Sequence, residues 1–183
     1  MKSVCVLFLV VLATACAVAQ EPPDTAKSAT KLEAFQAKTG IVVVRGYTTA
    51  GTIHGLGGEI TVDAREFRDA SNPSSRAAGI SITVKETGRL ERENTSFIDA
   101  DEIDSLLMGL DYIAKANKAV TKLENFEVEY RTKGKFSLVT FNNSKGQLSA
   151  AVSSGYIGKT TAYIKLEDLA NLRQLIISAK SKL

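Results

Sequence analysis

Thr95-Ser96-Phe97-Ile98-Asp99-Ala100-Asp101-Glu102-Ile103-Asp104-Ser105-Leu106-Leu107-Met108-Gly109-Leu110 returns later in the chain as Thr161-Ala162-Tyr163-Ile164-Lys165-Leu166-Glu167-Asp168-Leu169-Ala170-Asn171-Leu172-Arg173-Gln174-Leu175-Ile176. A shift of 66 residues, without a gap, sets Thr95 on Thr161, Phe97 on Tyr163, Ile98 on Ile164, Asp101 on Glu167, Glu102 on Asp168, Ile103 on Leu169, Leu106 on Leu172 and Leu110 on Ile176. Each passage begins with alternating apolar and polar residues, the pattern of a strand with one buried face. It then turns, through acidic residues, into apolar positions three or four apart, the stripe of a helix. A passage repeated at this spacing marks a duplicated unit.

Working outward, the first copy holds further strand patterns at residues 41–45 (Ile41-Val42-Val43-Val44-Arg45), 60–64, 80–84 and 90–98, joined through Gly55-Leu56-Gly57-Gly58 and Asn72-Pro73-Ser74-Ser75. A helix is expected from Asp99 to about Leu123, with Ile103, Leu106, Leu107, Leu110 and Ile113 inward, Asp99 as its N-cap and Glu102 in the capping-box position. The second copy repeats the plan with strands at 126–130, 136–141, 148–152 and 160–164, Gly134 in a tight turn, and a helix from about Glu167 whose inner residues are Leu169, Leu172, Ile176 and Ala179. The fold class expected is α+β: a four-stranded antiparallel sheet and a helix, built twice over residues 41–123 and 124–183 around a pseudo-twofold axis. Each helix is expected to cover its own sheet. Ahead of them, residues 20–40 read as a short helix with Ala29, Leu32 and Phe35 on one face, ended by Gly40, or as a tether.

This order resembles the Whirly-type single-stranded DNA-binding fold, and Thr161-Ala162-Tyr163-Ile164 running into Glu167-Asp168-Leu169 is similar to the last strand and helix start of that group. The resemblance implies the architecture and, as one functional class, single-stranded nucleic-acid binding. Fold alone does not carry activity.

Residues 1–19 combine Lys2, an apolar run over residues 4–12 and Ala17-Val18-Ala19, the order of a secretory signal cut before Gln20. The apolar run is far shorter than the roughly 20 residues that span a bilayer as a helix. An exported protein, periplasmic or secreted, is therefore expected. The alternative is a lipid anchor at Cys16 within Leu12-Ala13-Thr14-Ala15-Cys16. Both cysteines, Cys5 and Cys16, lie inside this segment, so no disulfide is expected in the exported part. Charge is nearly balanced overall but not evenly spread: residues 21–120 carry 12 basic and 15 acidic side chains, residues 121–183 carry 10 and 5. One end of the molecule is thus expected to be electropositive.

Chemistry-bearing residues are few. His54, the only histidine, sits in Gly51-Thr52-Ile53-His54-Gly55-Leu56-Gly57-Gly58. It reads either as a hairpin-tip residue or as a general base beside glycine amides that could approach a substrate. The Lys-Ser/Thr ending of a phosphate loop and the Gly-x-Gly-x-x-Gly spacing of a dinucleotide site are missing. Asp99, Asp101, Glu102 and Asp104 invite a calcium reading, but Ile103 and the lack of a following glycine exclude an EF-hand, and helix capping accounts for the same carboxylates. One histidine and no cysteine after residue 16 leave no zinc set, so neither metal nor cofactor is expected. Arg131, Lys133 and Lys135 flank a turn beside Tyr130 and Phe136 and are the candidates for nucleic-acid contact. Phe126, Val128 and Tyr130, however, share one strand face, the mark of core rather than of a stacking platform.

These readings favour a non-enzymatic exported protein that binds a partner protein or small ligand, or has a structural task in the envelope. A single-stranded nucleic-acid binder and a hydrolase using His54 are the competing classes.

Overall fold

The computed structural model describes residues 29–143, 145–155 and 157–183; the expected signal, its cut after Ala19, Cys5 and Cys16 lie outside the described residues. After a short helix α1 (Lys31–Gln36) come strands β1 (Val43–Gly55), β2 (Gly58–Asp69), β3 (Arg76–Glu86) and β4 (Arg92–Asp99), then helix α2 (Ile103–Ala114). Strands β5 (Glu127–Arg131), β6 (Ser137–Asn142), β7 (Leu148–Ser154) and β8 (Thr160–Ile164) and helix α3 (Asp168–Lys180) follow. The strands form two antiparallel meanders, β1-β2-β3-β4 and β5-β6-β7-β8. The chain is therefore an α+β fold with a tandem repeat.

The registers show how closely the copies correspond. In the first sheet Thr52, Thr61, Thr83 and Thr95 stand in one row across all four strands; in the second, Arg131, Ser137, Ser153 and Thr161 do. The hydroxyls of Thr83 and Thr95 bond at 2.8 Å, and those of Ser153 and Thr161 at 2.9 Å. On the opposite face Ile60, Val62, Ile80, Ile82, Ile98, Leu138, Val152 and Ile164 enter one core with Leu106 and Leu172.

Four expectations are corrected. The first-copy helix stops at Ala114, and a 3-10 turn at Lys118–Val120 takes the chain onward, because Asn117 caps a new turn through Ala119 N–H instead of continuing the old one. The helices do not cover their own sheets: α2 packs on β5 and β6, and α3 on β1, β2 and β3. Asp111–Arg173 (2.7 Å) and Asp104–Lys180 (2.5 Å) ion pairs fix α2 and α3 antiparallel to each other at the centre. Residues 51–54 belong to β1, which runs through a bulge between Thr49 and Gly51, so His54 is a strand residue next to the tip rather than part of a loop.

The fourth correction concerns the acidic run. Asp99 does not cap α2; its carboxylate reaches back 68 and 67 residues and accepts from the amides of Lys31 (2.7 Å) and Leu32 (3.1 Å), the first turn of α1. Glu102 makes no side-chain cap bond to α2 and instead accepts from the amide of Lys133, in the β5–β6 turn, at 2.9 Å. Tertiary partners outcompete local capping here because these carboxylates are buried and other elements bring bare amides to them. Helix α1 has its own capping box, Thr30 with Glu33, and buries Leu32 and Phe35 on the outer face of the first sheet against Phe67, Ala77 and Phe97, while Ala29 is exposed.

Candidate binding groove

The first hairpin tip of each copy lies on an edge strand of the other sheet. The β1–β2 turn is Leu56-Gly57, with Gly57 at φ +77°, which a glycine supplies without strain. Leu56 donates its amide to the Tyr163 carbonyl at 2.7 Å and accepts from the Tyr163 amide at 3.0 Å, so the tip pairs with edge strand β8. The β5–β6 turn lies in the same way on β4: a side chain at Gly134 would run into the carbonyl of Phe97, the residue equivalent to Tyr163. The turn's left-handed residue is Lys135, at φ 66°; Gly134 is required for closeness, not for its torsion.

Where the β1–β2 tip crosses β8, an open groove of about 1080 Å³ forms. Its floor is Phe141 and Tyr163, edge to face with ring centroids 6.4 Å apart, and Leu56, Leu148 and Leu166 line its sides. Leu56 is 79 % exposed and Tyr163 47 %. The polar rim consists of His54, Lys165, Glu167 and Asp168. Asp168 accepts from the Lys165 amide at 3.4 Å and from Asn171 Nδ2 at 3.3 Å, which holds the start of α3 in place.

Of the candidate site residues His54, Arg131, Lys133 and Lys135, only His54 reaches this groove, at its rim. Its side chain is 79 % exposed, and Nδ1 lies 3.4 Å from Glu59 Oε2 across the hairpin. Among the described residues Glu59 is its one side-chain partner. Arg131, Lys133 and Lys135 lie at the other hairpin, on β4. The Glu129 carboxylate, 2.6 Å away, raises the affinity of Arg131 for its proton, and Lys133 gives its amide to Glu102. Tyr130 turns inward, donating its hydroxyl to Ser105 at 2.9 Å, and Val128 and Tyr130 pack against the core. Asp101 pairs with Lys31 at 2.7 Å, which holds its carboxyl below the usual carboxylate range. Among the described residues, no group of three or more His, Cys, Asp or Glu is placed to hold a metal ion, and no helix is long and apolar enough to cross a membrane.

Leu56, Phe141, Leu148 and Tyr163 were not singled out as site residues from the sequence. Two signals mark three of them: Leu56 stands where a turn usually carries polar residues, and Phe141 and Tyr163 are out of phase with Leu138, Thr140, Ala162 and Ile164, which are buried. Compared with known proteins, the chain matches no family model and no curated relative.

Proposed function

We propose that the chain acts outside the cytoplasm, after loss of residues 1–19, as a non-enzymatic binding module that takes apolar side chains of a partner into the groove at Leu56 and Tyr163. One observation carries this reading: Leu56 is exposed yet held by paired backbone hydrogen bonds to Tyr163. A leucine left in water forgoes about 1.5–3 kcal/mol of burial. A rigid tip that presents one beside a half-exposed aromatic ring has the form of a recognition surface. Among the described residues Glu59 is the one side-chain partner of His54, and no hydroxyl nucleophile is paired with the imidazole, which favours binding over hydrolysis. At the second hairpin Arg131 is paired with Glu129 and the aromatic face turns inward, which favours a protein or apolar ligand over nucleic acid.

The test uses the exported chain, whose intact mass is expected to begin at Gln20. An environment-sensitive apolar dye, 8-anilinonaphthalene-1-sulfonate, is expected to bind saturably. Leu56→Asp and Tyr163→Ser are expected to abolish that binding while leaving the far-ultraviolet circular dichroism unchanged. A hydrolytic activity that disappears in His54→Ala, or oligonucleotide binding that falls steeply with salt and with loss of Arg131 and Lys133, overturns the reading.

A further inference from the structure

Two of the four sheet edges carry a hairpin tip of the other copy: β8 meets the Leu56 tip, and β4 meets the turn at Gly134. The other two, β1 and its counterpart β5, are built differently from each other. Strand β5 has five residues and carries Glu127, Glu129 and Arg131, the shortness and charge that keep a bare edge from pairing. Strand β1 has 13 residues, and its first half lacks both devices. Residues 44–49 are exposed in succession, and Val42, Val44 and Tyr47 are each more than half exposed. Val42 accepts from the amide of Ala70, its partner on the β2 side. By the alternation of an antiparallel ladder, Val44 and Gly46 also bond toward β2, and the amides and carbonyls of Val43, Arg45 and Tyr47 point the other way. Among the described residues, no hydrogen bond reaches those groups.

We propose that β1 pairs antiparallel with β1 of a second copy of this chain about a twofold axis at Gly46, which joins the two four-stranded sheets into one continuous sheet. In this register Arg45 of each chain stands opposite Tyr47 of the other, and Val44 opposite Thr48. The outer face specifies the match. Within one chain Arg45 lies over the ring of Phe67, 5.9 Å from its centre, and Arg65 over that of Tyr47 at 4.9 Å; each cation neighbours its ring across the β1–β2 ladder. Across the seam the row becomes Phe67, Arg45, Tyr47, Arg65, rings and cations in alternation, and the axis repeats it. On the inner face the half-exposed Val44 gains cover from Thr48. Gly46 stands opposite itself and brings no side chain to the axis. The seam ends near Thr49, whose carbonyl accepts from Lys182 Nζ at 3.5 Å. Such a pairing is closed, because each chain contributes the same edge. The Leu56 tip follows the far end of β1 at Gly55, so the pairing neither needs the groove nor blocks it.

The experiment is sedimentation equilibrium of the exported chain. Its mass is expected to rise from one chain at about 1 μM to two at about 300 μM, the micromolar affinity of a small interface. Tyr47→Lys, which sets a lysine opposite Arg45 at both related places, is expected to weaken association about tenfold or more, with the far-ultraviolet circular dichroism unchanged. The chain has no cysteine after Cys16, so one introduced thiol reports the register. A side chain fits at Gly46, where the nearest atom to an added carbon is the Glu66 carbonyl oxygen at 3.9 Å. Residues facing each other across the axis have Cα atoms about 4.5 Å apart, within the range of a disulfide. Gly46→Cys is therefore expected to crosslink two chains under mild oxidation. Val44→Cys, whose two copies stand about 13 Å apart along the seam, is expected not to. A one-chain mass at about 300 μM, growth beyond two chains, association indifferent to Tyr47→Lys, or crosslinking through Val44→Cys in place of Gly46→Cys overturns the proposal.

Discussion

Gly109 of α2 lies directly under the ring of Tyr130 on β5, so closely that a methyl group at position 109 would meet ring carbons at 2.7 and 2.8 Å. The pseudo-twofold axis repeats this contact with the sizes exchanged. The residue equivalent to Gly109 is Leu175 of α3, and the residue equivalent to Tyr130 is Gly51 of β1, whose added side chain would meet Leu175 Cδ2 at 2.7 Å. Large on small in one half and small on large in the other fill the same gap between a helix and the opposite copy's sheet. The prediction concerns sign. Ala is favoured over Gly in an exposed helix by about 1 kcal/mol, but Gly109→Ala is expected to destabilise the protein by about 1–2 kcal/mol through overpacking against Tyr130. In a Tyr130→Ala background the same substitution is expected to stabilise. Urea midpoints of the four proteins of this cycle check it, and additive effects would refute the contact.

Asp99 makes a long-range connection of another kind, two hydrogen bonds from the end of β4 to the first turn of α1. Asp99→Ala is expected to cost about 1–2 kcal/mol, since two bonded amides lose a buried charged acceptor. It should also release α1, read as faster amide exchange at Leu32 and Phe35 with the exchange of α2 unchanged. Asp104→Ala, which removes an exposed partner of Lys180, is expected to change stability by less than about 1 kcal/mol. Loss of protection across α2 in Asp99→Ala would restore the capping role that the sequence pattern suggested.

What was legible in the sequence and what was not follows from the range of each interaction. Alternation at Ile80, Ile82 and Val84 and the stripe at Leu106 and Leu110 are local consequences of burying one face, and the strands, helices and duplication were readable from them. Asp99 and Glu102 sit at ideal capping positions, yet their partners are Lys31 and Lys133, and no local pattern states which bare amide arrives first. The crossing of the helices depends on which sheet meets each apolar stripe, and Leu106 looks the same under either sheet. His54 was visible because histidine is rare here. Leu56 and Tyr163 were not, because their role depends on an edge-to-tip contact between residues 107 positions apart in the chain.

The sealing of sheet edges by hairpin tips gives a prediction about two glycines in turns. Gly134→Ala drives a methyl group into the Phe97 carbonyl, and backbone cannot move aside as a flexible side chain can. It is expected to cost about 2–3 kcal/mol, toward the upper end of overpacking effects. Gly88→Ala, in the β3–β4 turn with nothing within 4 Å of the added carbon, is expected to stay within about 0.5 kcal/mol of the parent. Thermal or urea unfolding of the two variants makes the comparison. Equal effects would mean that the β5–β6 tip does not rest on β4.

Glu86 ties the two sheets together. Its carboxylate Oε1 accepts the Thr161 amide of β8 at 2.8 Å, and Oε2 accepts from Arg92 Nε at 2.9 Å. The Thr161 amide, with help from Arg92, holds the Glu86 carboxyl below its ordinary value of 4.5. A carboxyl whose affinity for protons is lower in the folded than in the unfolded chain stabilises the fold fully above the unfolded value. That contribution disappears as pH falls through the lower, folded value. Glu86→Gln keeps an acceptor but removes the charge, so it is expected to lower stability at pH 7 by about 1 kcal/mol. Several other carboxylates, Glu66, Asp101 and Asp111 among them, are held low in the same sense, so both proteins lose stability in acid. The difference between parent and variant isolates Glu86: it is expected to be constant from pH 7 down to about 5 and to shrink toward zero below the folded value. Urea midpoints across that range measure it, and a difference that persists unchanged at pH 2 would show that the Glu86–Thr161 bond does not depend on the carboxylate charge.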